Sequence, residues 1–377
     1  MLIEKFDAAS DQAWARALYE VYEAGAPVDE PGGPVMSARV WCGLLARGWC
    51  DEPRENWLAR VAPAEAGPAG AGPAGAGPAG GPILGGYSLE LPDRENLDRA
   101  GLTLLVAPER RRAGVGSALL RHARARVAEL GRHTVTSLVL EGTAGDGFAR
   151  AMGATAELTE VRRTLDLAAL PPGHLARLRA SAESAAAGYT LTRWFGPTPD
   201  EWLGPVVRLN EAMADAPHGD GEQPQAWDAA RVRLTDQLGE AKGLRRYSVA
   251  AADTATGELA ALTQLSIEEA DPAWGHQELT AVVRAHRGHR LGLLTKVDML
   301  ALLGDREPQI RFVQTWNGET NAHMVAINEA LGFGHPHRVN SWRLPAGVSP
   351  ETESLATGPM APTYRWAGRR CGVAGQS

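Results

Sequence analysis

The sequence predicts an α/β chain made of two tandem copies of one domain, and three observations carry that prediction. Gly101-Leu-Thr-Leu-Leu-Val106 is a short apolar run suited to a buried strand, followed by an Arg/Gly-rich turn over Arg110–Gly116 and a helical pattern from Ser117 to Leu130. The same order returns as Leu279–Val283, Arg287–Gly292 and Leu293–Leu303. The spacing also repeats: Pro27 to Arg111 is 84 positions and Pro217 to Arg287 is 70, and the difference is within one residue of the 15-residue low-complexity segment Ala66–Gly80. A duplicated domain with one late insert explains all three.

Taken in order, the chain opens with a helical, apolar-rich pattern that ends at Glu23-Ala-Gly-Ala-Pro27, and Glu211-Ala-Met-Ala-Asp-Ala-Pro217 is its counterpart. Each is followed by an acidic loop, whose Asp29, Glu30, Asp215, Asp220 and Glu222 are candidates to attract a cationic partner. Strand-like runs Trp57–Val61 and Ile83–Leu91 flank the AGPAG repeats, where Gly and Pro are too dense for a helix or a strand interior. The segment over 66–82 therefore reads as an over-long hairpin connection inside the first domain. Leu119, Leu120, Ala123, Val127 and Leu130 recur at helical spacing before Gly131. Val135–Leu140 reads as the next strand and Phe148–Ala154 as a helix end; Phe312–Asn317 and Asn321–Phe333 match them in the second half. The expected boundaries are 1–167 for the first domain, 168–187 for a linker with a short Ala-rich helix, 188–345 for the second domain, and 346–377 for a partly ordered tail.

The 377 residues carry 38 basic and 45 acidic side chains, a net charge of −7 that argues against a general nucleic-acid binder. Cys42, Cys50 and Cys371 are too few and too scattered for a disulfide framework or a zinc site, so no metal is expected. Neither a signal peptide nor a run of ~20 apolar residues is visible, so a cytoplasmic location with no membrane partner is expected.

An Arg/Gly turn between a strand and a helix presents unpaired N–H groups at the positive end of a helix dipole, an arrangement suited to a diphosphate. Glycine lets the backbone approach phosphate oxygens, and arginine adds charge-assisted hydrogen bonds. A P-loop is excluded because no Gly-Lys-Ser/Thr follows. The spacing also departs from Gly-x-Gly-x-x-Gly.

Arg111-x-x-Gly114-x-Gly116, after a strand ending Val106-Ala-Pro-Glu109, resembles the acyl-CoA loop of the GCN5-related N-acetyltransferases, the GNAT superfamily. With the second copy at Arg287–Gly292, the chain is similar to tandem GNAT proteins of actinomycete type, which include mycothiol synthase and antibiotic-modifying acetyltransferases. The resemblance implies a mixed α+β sheet in each copy, with two strands that splay at a bulge to admit a pantetheine arm. It implies acetyl-CoA as cofactor, with backbone contacts at Leu104 and Val106 and diphosphate contacts from Arg111, Arg112, Ala113, Gly114, Val115, Gly116 and Ser117. In the second copy the corresponding residues are Ala281, Val283, Arg287, Gly288, His289, Arg290, Leu291, Gly292 and Leu293, with Asn321 at the start of the last helix as cap or cofactor contact. Arg290 replaces the first loop glycine, which strains the backbone if that position needs a positive φ.

The family's usual acid, a Tyr four residues before the helix-end glycine, is absent: Ala149 and Asn328 stand there. Glu278, at the start of the second motif strand, lies where the family often carries its base, and Glu90 is the best acidic candidate in the first copy. The expected reaction is acetyl transfer from acetyl-CoA to a primary amine of a small molecule, an antibiotic or other specialised metabolite, by a monomer or homodimer. The alternatives are acetylation of a mycothiol-like thiol precursor, an acyl-CoA sensor without turnover, and protein N-acetylation. The first copy, with its intact loop, is the expected tighter coenzyme site.

Overall fold

The computed structural model describes residues 1–62, 81–215 and 221–347. The AGPAG repeats, Asp220, and all but the first two residues of the expected tail lie outside the described residues. The first half runs β1 (Leu2–Phe6), α1 (Gln12–Asp29), α2 (Ala38–Arg47), β2 (Arg54–Arg60), β3 (Ile83–Glu90), β4 (Arg99–Val106), α3 (Val115–Glu129), β5 (Thr134–Leu140), α4 (Ala144–Ala151) and β6 (Thr155–Asp166). The second runs α5 (His174–Ala185), β7 (Tyr189–Phe195), α6 (Leu203–Glu211), α7 (Ala229–Ala241), β8 (Leu244–Asp253), β9 (Leu259–Glu268), β10 (Asp271–Val282), α8 (Leu291–Arg306), β11 (Phe312–Gly318), α9 (Ala322–Leu331) and β12 (Gly334–Pro345).

Two compact units result, and each borrows a strand from the other half. Unit 1 is Met1–Thr159 with the described stretch from Val339 on; unit 2 is Glu160–Arg338. The sheet of unit 1 has the order β1-β2-β3-β4-β5-β12 and that of unit 2 the order β6-β11-β10-β9-β8-β7. In each, the central pair is parallel (β4 with β5, β10 with β11) and the neighbours are antiparallel. The contiguous boundaries expected from sequence therefore differ from the units found. The reason is physical: a strand's apolar pattern fixes which face it buries, not which sheet edge it joins. The expected linker also differs, because α5 belongs to unit 2, where Ala182 is fully buried in the core beside α8 and Arg179 reaches Asp298 at 2.6 Å.

Period-two alternation sets both cores. In unit 1, Ala100, Leu102, Leu104 and Val106 of β4 pack with Leu119, Leu120, Ala123 and Val127 of α3, the residues whose helical spacing is legible in the sequence. In α1, Leu18 lies against Gly86 of β3, where a Cβ would fall 2.5 Å from the Trp57 carbonyl oxygen, so only glycine fits. Trp41 of α2 stacks on Tyr22 of α1 with centroids 4.2 Å apart. In unit 2, Val249 and Ala251 of β8 meet α8, whereas Ala250 between them meets Val206 and Leu209 of α6 and Val232 of α7.

Candidate functional site

Each unit holds a strand that parts from its neighbour beside a helix start. β4 pairs with β5 only over Arg99–Gly101, yet continues to Val106. β10 pairs with β11 only over Trp274–His276, yet continues to Val282. Beyond those pairs the facing edges diverge. In unit 1 the Thr136 and Ser137 hydroxyls donate to the Ala100 and Leu102 carbonyls at 3.5 and 3.0 Å. By alternation, the backbone groups of Leu104 and Val106 face the same widening gap.

Unit 2 keeps this register but not at the residues expected. Val283 N–H donates to Ala260 O at 2.9 Å, on the β9 side, as Ala107 N–H does to Leu84 O at 3.0 Å in unit 1. Arg287 Nε points to Val282 O at 3.5 Å, as Arg111 Nε does to Val106 O at 3.4 Å. The positions facing the gap are therefore Thr280 and Val282, one residue earlier than Ala281 and Val283. β10 also carries a bulge between Gln277 and Thr280 against β9, whereas β3 and β4 pair without interruption. The splay thus coincides with a bulge in unit 2 alone.

The two loops share one backbone. Arg112 and Gly114 take φ of +65° and +79°; Gly288 and Arg290 take +87° and +54°. Each loop needs two left-handed residues, and glycine fills the second in unit 1 and the first in unit 2. Arg290 does sit where an L-residue is strained, and its Nη1 donates to Ser181 Oγ on α5 at 2.5 Å. After these caps, Ala118 N–H bonds back to Gly114 O at 3.1 Å and Leu294 N–H to Arg290 O at 2.9 Å. The N–H groups of Val115, Gly116 and Ser117, and of Leu291, Gly292 and Leu293, have no carbonyl partner among the described residues. These are the orphan donors of a helix N-terminus, and they suit a diphosphate. In unit 2 they border a cavity of about 370 Å³ lined by His286–Gly288 and Arg290–Leu293 of the loop, by Leu178 and Ser181 of α5, and by His323 and Ile327 of α9. Its size and those donors fit part of an extended, anionic coenzyme. His289 instead lies beside Tyr189, with ring centroids 5.4 Å apart.

Other expected residues have structural partners. Asp29 is not on an open acceptor lip: it is 2% exposed and takes both Arg111 nitrogens, at 3.0 and 2.5 Å. Burial raises its pKa despite Arg111, which acts in the opposite direction. This pair fixes the first arginine of the loop, and only the proximity of two acidic–basic motifs in space, invisible in sequence, reveals it. Glu90 is ion-paired with the nearly buried Arg54 and stands opposite Gly101, at the end of β3 far from the loop. Glu278 lies in the β10 bulge, its Oε2 3.1 Å from Arg246 Nε, and Arg246 also holds Asp236. A bulge re-aims the side chain it carries. Asn321 caps α9 by accepting from Met324 N–H at 3.2 Å, so its carboxamide oxygen serves the helix. His323 has its pKa lowered, by burial first and by Arg287 second.

At the two positions where the family carries its acid, Ala149 is buried beside Val139 and Trp342, and Asn328 is fully buried in a polar chain. Lys296 Nζ donates to Asn328 Oδ1 at 2.7 Å, Asn328 Nδ2 to Asn317 Oδ1 at 3.1 Å, and Arg163 Nη1 to the same oxygen at 3.4 Å. Sequence reading missed Lys296. Its signal is a cation within Leu291–Leu303, a helix segment apolar almost all round.

Among the described residues no cluster of His, Cys, Asp and Glu is placed to hold a metal ion, and no helix is long and apolar enough to cross a membrane. No protein-family model matches the sequence, and no curated protein matches it. Solved structures do match. A tandem GNAT protein from the clavulanic acid biosynthesis pathway, determined without AcCoA, is similar at 29% identity and a TM-score of 0.74, over 92% of this chain and 100% of that one. A GCN5-related N-acetyltransferase from Sphaerobacter thermophilus shares the fold at 16% identity and a TM-score of 0.60, over 92% and 96%.

Proposed function

We propose that the chain is a tandem GNAT protein, as the similar solved structure is, and that it transfers an acetyl group from acetyl-CoA to the primary amine of a small molecule. The observation that carries this reading is the pairing, in both units, of a splayed parallel strand pair with orphan N–H groups at the next helix start. Acetyl-CoA, when bound, supplies a thioester carbonyl for the amine to attack. The residues that would hold its diphosphate are Gly114–Ser117 in unit 1 and Arg290–Leu293 in unit 2, with the edges of Leu104–Val106 and Thr280–Val282 along the arm. Glu278, in the bulge and backed by Arg246, is the candidate to take a proton from the acceptor ammonium through water. Glu90, tied to Arg54, is better read as a structural carboxylate. The pathway named for the similar structure favours a specialised metabolite, such as an antibiotic, as acceptor over a mycothiol-like thiol precursor. A sensor that binds acyl-CoA without turnover is the second reading, favoured by Ala149 and Asn328 at the expected tyrosine positions.

Titration calorimetry with acetyl-CoA, followed by thiol release over a panel of amines, separates the two. The variants Gly114→Leu and Gly292→Leu assign the working half. Gly292 has an ordinary φ and lines the cavity, so leucine there fills the site; at Gly114 the φ of +79° adds backbone strain. Transfer lost in one variant and kept in the other is the expected result. Acetyl-CoA bound without thiol release for any amine would establish the sensor.

A further inference from the structure

Lys296 has no part in the chemistry assigned so far. It is 2% exposed, in the middle of α8, and its one hydrogen-bond acceptor among the described residues is Asn328 Oδ1. The Phe333 ring lies 5.2 Å from Nζ. Gly292, one turn earlier on the same face of α8, lines the cavity of unit 2, as does Ile327, the neighbour of Asn328. Helical side chains lean toward the N-terminal turn, so the Lys296 stem lies over the turn that carries Gly292, and its Nζ ends at the Asn328 carboxamide. Asn328 occupies the position of the family's phenol, and Asn317, which it bonds, lies on β11 past the last residue paired to β10.

We infer that Lys296 donates the proton taken up by the departing sulfur in unit 2, in place of the absent phenol. This rests on the transferase reading above. The step balances: the acceptor nitrogen forms the C–N bond, the C–S bond breaks, and the sulfur keeps the electron pair and takes a proton from the Lys296 ammonium. The proton shed by the nitrogen passes to solvent, and the neutral lysine is recharged from water. The geometry supplies two N–H bonds of Nζ that Asn328 does not use. Burial alone pushes the Lys296 pKa down to about 7, so the ammonium gives up its proton readily at neutral pH. The charged groups on the packed elements are engaged with one another: Asp298 of α8 with Arg179 of α5 and Arg193 of β7, Arg163 of β6 near Glu329 of α9, and His276 of β10 with Gln314.

The chain has three lysines, so lysine labelled with ¹³C at Cε gives a spectrum assignable with Lys296→Met alone. The Lys296 signal is expected to titrate near neutrality in the free protein. With CoA bound, its midpoint is expected to differ by about one unit or more from the midpoint with desulfo-CoA, because the sulfur lies against Nζ and the two groups share one proton. Equal midpoints with the two ligands would overturn the inference. Lys296→Met is expected to bind acetyl-CoA as the parent does while kcat falls about 100-fold, with loss of the decline in kcat above neutral pH. Lys296→Arg keeps a donor to Asn328 but is a poor acid; recovery of kcat in that variant would reduce Lys296 to a structural role. Failure of the parent chain to bind acetyl-CoA sinks the transferase reading itself, a result distinct from binding with an unchanged pH profile in Lys296→Met.

Discussion

Burying Lys296 makes the stability of unit 2 depend on pH in a direction opposite to that of an ordinary surface ion pair. Its pKa falls from 10.5 to about 7 on folding, and the cause is desolvation alone. Between those values the unfolded chain binds a proton that the folded chain does not, so stability rises with pH across the window from about 7 to 10.5. Below it both states carry the proton and the full penalty applies; above it both are neutral. At about 1.4 kcal/mol per pKa unit the whole window is worth about 5 kcal/mol, of which about 2 kcal/mol falls between pH 7 and pH 9. Urea unfolding of the parent and of Lys296→Met at those two pH values isolates this contribution, because methionine keeps the length of the side chain without the charge. The parent is expected to gain about 2 kcal/mol relative to the variant on going from pH 7 to pH 9. A constant difference between the two proteins would show that the amine is solvated or already paired, and would refute the reasoning.

Two further outcomes follow from the loops. Arg290→Gly removes an L-residue from φ +54° at the cost of an exposed bond to Ser181, so thermal unfolding should show unit 2 stabilised by about 1 kcal/mol. Asp29→Ala leaves Arg111 without its buried partner; denaturant unfolding should register a loss of about 3 kcal/mol in unit 1, and calorimetry a weaker acetyl-CoA site there.

The strand–turn–helix order, the duplication and both loops were legible because each depends on local pattern: apolar runs, glycine placement and helical spacing. Arg290 shows where that stops. Counting glycines leaves open whether Arg290 needs a positive φ; it does, and both loops use two left-handed residues, exchanging which one is glycine. Ala281 and Val283 were misplaced by one residue because an unbroken apolar run has no internal marker of register; the hydrogen bond of Val283 to Ala260 supplies it. Asp29 with Arg111, and Lys296 with Asn328 and Asn317, join elements far apart in sequence, and nothing local announces such meetings.

The exchange of β6 and β12 reaches beyond the folded state to how the polypeptide is made. Synthesis delivers β1 to β5 first, yet the place beside β5 is filled only by residues 339–345, some 200 residues later. Meanwhile β6 must wait for β11, some 150 residues later. Folding one half at a time behind the ribosome, the usual route for successive domains, would leave each unit short of one strand. A fragment carrying either half alone would leave a sheet edge without its strand.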